Sequence, residues 1–302
     1  MRSWLVGFPG LLLLAGCGAP QPYVTADRLE RGLVVVLPGV EGRGRFNEAI
    51  CDGLNDGGVN WAIELYDWTV WGGPLYNLRN RSGNRQKADD LADRIARYRE
   101  QCPGRPVVLL GQSGGGALAV WTTEALGPGV EVDGVILLAA ALSPRYTLDA
   151  ALRRSRRGIL SFYSERDWVL LGTAIAGTMD GDFAASAGRT GFEVPGGDDP
   201  PETYRKLFQV AWNQKMSETG HYGLHITSGA SEFVSAYVAP FIRSAVWREE
   251  LVAKVLRGEP VEGPPEVPPL EWKPLPSTGP ATSPATAPAT SPAQTRPAGA
   301  AR

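Results

Sequence analysis

The stretch from Pro106 to Trp121 constrains this chain more than any other, because it changes character twice within a short span. Pro106-Val107-Val108-Leu109-Leu110 is a continuous apolar run of strand length, the pattern of a strand covered on both faces. Gly116-Ala117-Leu118-Ala119-Val120-Trp121 reads as the start of a buried helix. Only Gly111-Gln112-Ser113-Gly114-Gly115 stands between them, so strand must pass into helix through one sharp turn. The residue at the apex of such a turn is held in strained backbone, and its neighbours two places away must be small to avoid collision. Gly111 and Gly115 meet that demand, and Ser113 is left at the apex.

The same alternation runs through the chain. Apolar runs predict strands at Leu33 to Leu37, Trp61 to Tyr66, Val107 to Leu110, Val135 to Ala139 and Ile159 to Tyr163, with a weaker sixth at Phe208 to Trp212. Helical spacing predicts helices at Phe46 to Leu54, Ala88 to Tyr98, Gly115 to Leu126 and Ser231 to Ile242. This order is that of an α/β fold with a mostly parallel central sheet and helices on both faces. A chain of 302 residues with unlike ends has room for one core, which the pattern places at 31–257. A signal segment (1–16) and a linker (17–30) precede it, and a tail (258–302) follows.

Gly-x-Ser-x-Gly set between a buried strand and a helix resembles the α/β-hydrolase-fold serine hydrolases of the esterase and lipase type, and the resemblance spans Leu33 to Ile242. It implies Ser113 as nucleophile, followed in chain order by an acid and a histidine. The chain has two histidines, both after the last strand. His221 is preferred as base because Gly220-His221 resembles the family's entry to that loop, and His225 is the alternative. Asp167, on the turn after Ile159 to Tyr163, is the matching acid, with Glu165 as competitor and Val169 as the residue that packs the loop. Oxyanion donors are expected from the backbone N–H of Gly114 and from Val40, or Glu41, in Pro38-Gly39-Val40-Glu41-Gly42. That glycine-containing loop departs from both dinucleotide and phosphate-loop spacings.

The resemblance implies cleavage of an ester or related acyl bond in a small-molecule or lipid substrate, without cofactor or metal. Acyl transfer to an alcohol by the same residues, or a catalytically silent scaffold that binds an envelope component, remain open. Only Ala141 to Arg157 separates the fourth and fifth strands, which excludes a large cap domain there and predicts an open site. Tyr66, Trp68, Trp71 and Tyr76, and the long stretch from Trp168 to Tyr204, are the candidates to line a substrate pocket.

The N-terminus runs from Arg2 through Leu11 to Leu14, too short an apolar stretch to span a bilayer comfortably, into Leu14-Ala15-Gly16-Cys17. This resembles the bacterial lipobox and implies export, with Cys17 as a lipidated N-terminus that anchors the protein to a membrane of the cell envelope. Outside the cytosol a Cys51 to Cys102 disulfide is permitted. Against it, Cys102 extends the helical series Ala88, Leu91, Ile95, Tyr98 as a buried thiol would. The Pro-Ala-Thr-Ser repeats of the tail have too few large apolar residues to pack. Thirty Lys and Arg against 32 Asp and Glu leave a net charge of −2 and no field to draw nucleic acid.

Overall fold

Six parallel strands form one sheet in a computed structural model that describes residues 21–197 and 199–259. They are β1 (Leu33–Leu37), β2 (Ala62–Leu65), β3 (Val107–Gln112), β4 (Gly134–Leu138), β5 (Ile159–Tyr163) and β6 (Leu207–Ala211). Side by side they run β2-β1-β3-β4-β5-β6. The expected strands are all present, with ends shifted by one or two residues. This is the architecture of the α/β-hydrolase fold. Cys17, the apolar leader and the Pro-Ala-Thr-Ser repeats lie outside the described residues.

The helices follow from the periodicities. In chain order they are α1 (Ala26–Leu29), α2 (Arg45–Asp56), α3 (Pro74–Arg79), α4 (Arg81–Gln101), α5 (Gly114–Ala125), α6 (Asp149–Arg153), α7 (Thr173–Ala176), α8 (Ala187–Thr190), α9 (Ser231–Phe233), α10 (Ala239–Arg243) and α11 (Glu249–Arg257). Alternate strand residues serve opposite faces. Val34, Val36, Val108, Leu110, Ile136, Leu138, Leu160 and Phe162 pack with Ile50 and Leu54 of α2 and with Phe233, Phe241 and Trp247 near the C-terminus. On the other face α5 lies against β1, β3 and β4, and α4 lies against α5.

Three local differences from the sequence reading have physical causes. The helix expected over Ser231 to Ile242 is interrupted by a π-helical segment, Val234–Val238. Pro240 follows within its next turn and has no N–H to give the regular ladder, so the bonding steps to wider spacing. Beyond it, α11 and Trp247 add a buried face that was not anticipated. Residues 21–30, read as linker, are docked: the Gln21 amide accepts from Leu65 N–H (2.6 Å) and donates to Leu65 C=O (3.2 Å), and Ile63 N–H donates to Tyr23 C=O (3.1 Å). This pairing covers the open edge of β2.

The strand order reverses at β1 and β3. Chain connections leave these neighbours in opposite directions across the sheet, which opens a crevice at their carboxyl ends. The loops after β1 and β3 flank that crevice, so Val40 and Ser113 meet there.

Candidate active site

Ser113 occupies the crevice with φ 54° and ψ −120°. A left-handed backbone costs a non-glycine residue roughly 1–3 kcal/mol and persists only where the surroundings impose it. Three hydrogen bonds do so: Ser113 N–H to Leu138 C=O (2.9 Å), and Ala141 N–H and Gly116 N–H to Ser113 C=O (both 3.0 Å). The glycine requirement is steric. A Cβ at Gly111 would stand 2.2 Å from the Gly115 carbonyl oxygen, and one at Gly115 would stand 2.1 Å from the Leu37 carbonyl oxygen. Both obstacles are backbone, which cannot swing aside.

The side chain that reaches Ser113 is His225. Its Nε2 lies 3.0 Å from Ser113 Oγ and its Nδ1 2.8 Å from Asp167 Oδ2. Asp167 is buried, its Oδ1 accepting Leu170 N–H (3.1 Å), which leaves Oδ2 to the imidazole. With Nδ1–H donated to the carboxylate, Nε2 faces the hydroxyl as an acceptor. The His225 carbonyl is held in turn by Ser228 Oγ (2.7 Å), and the ring is 12 % exposed.

The preference for His221 is therefore corrected. His221 is buried, its ring 4.5 Å from that of Phe233, and its carbonyl accepts Trp212 Nε1–H (2.7 Å). Its Nδ1 lies 3.2 Å from Thr227 Oγ1. The Thr227 hydroxyl already donates to Leu224 C=O, so the imidazole Nδ1–H is the donor. Burial lowers its pKa to about 4, against a smaller opposing pull from the Asp167 charge. The two histidines share a loop without periodic structure, so no spacing rule separates them. The loop turns at Gly220 and again at Gly223, both at positive φ, and only the second turn aims a side chain at Ser113.

Other assignments fare variously. Glu165 is exposed on the same turn as Asp167. Val169 does not pack the loop, being 43 % exposed, and its neighbour Leu170 is buried instead. Val40 and Gly114 are brought together: a Cβ at Gly114 would lie 2.7 Å from Val40 Cγ1. Neither Val40 N–H nor Gly114 N–H meets an acceptor among the described residues. The Gly39 carbonyl is tied to Gly42 N–H (3.1 Å), so the trans peptide turns Val40 N–H the opposite way. Trp68 Nε1–H to Pro38 C=O (2.8 Å) and Asn77 Nδ2–H to Val40 C=O (3.0 Å) hold this loop, a function the sequence did not reveal.

The surroundings are partly covered. Among the described residues the connection between β4 and β5 holds only α6 and no cap domain. The longer insertion after β5 folds back on the end of β4 through Met179 N–H to Ala141 C=O (2.9 Å) and Ala187 N–H to Leu142 C=O (2.7 Å). It sets the Met179 sulfur beside Gly114, and Ser113 is 5 % exposed, so the site is less open than expected. A groove of about 690 Å³ runs from Val40 and Glu41 along Asp67, Val70 and Trp71. Trp68 lies buried beneath the site, whereas Trp71 is fully exposed. Cys51 and Cys102 are both free, buried thiols, and burial pushes that of Cys51 up to about 12. The described residues hold no cluster of His, Cys, Asp and Glu suited to a metal ion.

Residues 29–170, just under half of the chain, match the family model described as serine aminopeptidase, S33. No curated protein matches the chain. Similar solved structures include lipase B from Aspergillus fumigatus, 11 % identical with a TM-score of 0.44, over 74 % of this chain and 55 % of that one. Est1E from Butyrivibrio proteoclasticus is 11 % identical with a TM-score of 0.43, over 74 % and 89 %. The esterase domain of a Rhodothermus marinus protein is 16 % identical with a TM-score of 0.40, over 78 % and 89 %. The chain thus spans about half the length of the Aspergillus lipase.

Proposed function

We propose that this α/β-hydrolase-fold chain is an exported serine hydrolase that cleaves an ester or related acyl bond through an acyl-enzyme on Ser113. The observation that carries this reading is the continuous chain of hydrogen bonds from Ser113 Oγ through His225 to Asp167, at 3.0 and 2.8 Å. As Oγ attacks the substrate carbonyl carbon, its proton passes to His225 Nε2 and Asp167 steadies the resulting imidazolium. The carbonyl oxygen becomes an oxyanion that takes the free N–H groups of Val40 and Gly114, reinforced by the positive end of α5. Collapse breaks the bond to the leaving alcohol, which receives the proton from His225. Water then attacks the acyl carbon, giving its proton to the same nitrogen, and the released acid restores Ser113. No cofactor is required at any step.

Export and anchoring through a lipidated Cys17 complete the proposal, on the strength of Leu14-Ala15-Gly16-Cys17 after the apolar leader. No helix among the described residues is long and apolar enough to cross a membrane. A fluorophosphonate probe tests the catalytic reading directly. It should label the native chain and fail on Ser113→Ala, and His225→Ala should lower ester turnover by about three orders of magnitude or more. Folded protein that resists the probe, or full turnover in His225→Ala, would overturn the assignment.

A further inference from the structure

We propose that the carboxyl-end rim of the sheet, which surrounds Ser113, docks on the lipid bilayer and that the acyl substrate is drawn from that bilayer. This rests on the reading of Cys17 as a lipid anchor. Two independent observations converge on it.

The first is the distribution of exposed apolar side chains. Trp71, Ile175, Phe183, Trp168 and Ile226, from 103 % to 54 % exposed, all stand on the connections that leave the carboxyl ends of β2, β5 and β6. Of all the large apolar side chains exposed among the described residues, only Val194 and Val246 lie away from this rim or the first turn of α2 beside it. Isolated apolar residues on a surface need no explanation, but their concentration on one end of a molecule marks a surface that meets an apolar partner. Aromatic rings on such a rim suit the headgroup boundary, where one end is apolar and the other wet.

The second is where the chain enters the domain. Gln21 is paired to Leu65, the last residue of β2, and Tyr23 to Ile63, so the segment runs antiparallel to β2 and comes in at its carboxyl end. Cys17 stands four residues before Gln21, a reach of at most about 14 Å for extended chain. A five-residue strand is itself roughly 17 Å long. A lipid on Cys17 therefore holds the rim with Ser113, and not the opposite end of the sheet, against the membrane. The chain as a whole, at a net charge of −2, has no long-range electrostatic pull toward an anionic bilayer. The substrate class that follows is an acyl ester whose chain lies in the bilayer and whose carbonyl sits at the headgroup level.

The test uses the anchored chain in vesicles of phosphatidylethanolamine and phosphatidylglycerol doped with bromine-labelled phosphatidylcholine. A fluorophore attached through Ile175→Cys on the rim should be quenched at least threefold more than one attached through Pro128→Cys, which lies in the loop at the opposite end between α5 and β4. The buried native thiols leave those positions selective. Equal quenching at the two positions, quenching at neither, or stronger quenching at position 128 overturns the orientation, whatever the catalytic activity. In the same vesicles the double variant Ile175→Ser, Phe183→Ser should turn over an embedded long-chain ester at least tenfold more slowly, with turnover of a soluble short-chain ester within twofold of the parent. Equal effects on both esters, or none on the embedded one, overturn the substrate class. If the parent turns over neither ester while position 175 alone is quenched, the docking surface stands and the catalytic reading of Ser113 is what fails.

Discussion

Substituting His221 by Asn should relieve an acid sensitivity without removing the catalytic base. The native imidazole is neutral in the fold because burial lowers its pKa to about 4, whereas in the unfolded chain it titrates near 6.5. Between those values the unfolded state binds the proton and the folded state does not, so stability falls as pH drops through the interval and rises with pH across it. Each pH unit of the interval is worth about 1.36 kcal/mol, which amounts to roughly 3 kcal/mol over the whole window and about 2 kcal/mol between pH 7 and pH 5. His221→Asn keeps a side-chain N–H for Thr227 and deletes the titration. Urea unfolding of the two proteins at pH 7 and pH 5 reads the difference: the native chain should lose about 2 kcal/mol more than the variant over that span. The variant should also keep its ester turnover at pH 7, since His225 faces Ser113. Parallel losses in the two proteins would refute the titration of His221, and an inactive but folded variant would refute His225 as the base.

Gly115→Ala places a methyl group 2.1 Å from the Leu37 carbonyl oxygen, so it should cost about 1–3 kcal/mol in urea unfolding and reduce turnover by disturbing the Ser113 turn. Asp167→Asn leaves the shape of the site but presents an amide to His225 Nδ1, and turnover should fall by about ten-thousand-fold with circular dichroism unchanged. Thiol titration should find Cys51 and Cys102 unreactive in the native protein and both reactive in denaturant without reductant, whereas a disulfide would leave them silent in both.

The strand-turn-helix around Ser113 was legible because local sterics write it into residue type. The apolar run of β3 is buried on both faces, and glycine is compulsory where a Cβ would strike backbone at 2.2 and 2.1 Å. The parallel α/β order was legible for a similar reason, since periods of strand and helix are properties of adjacent residues. Asp167 could be placed because its turn follows directly on β5.

The choice between His221 and His225 was of another kind. Both stand in one loop, and what separates them is contact with distant elements: Phe233 and Trp212 enclose the first, while Asp167 and Ser113 bracket the second. The same holds for the Met179 insertion over Gly114, for Trp68 supporting Pro38, and for the docking of Gln21 on β2. The sequence by itself determined that Ser113 stands at a sharp strand-to-helix turn of an α/β sheet, because glycines flank it two places away on each side between an apolar strand and a helix. Which histidine meets Ser113, what covers it and where Gln21 docks on the sheet were decided only by the tertiary structure, because each depends on residues far apart in the chain that packing alone brings within reach.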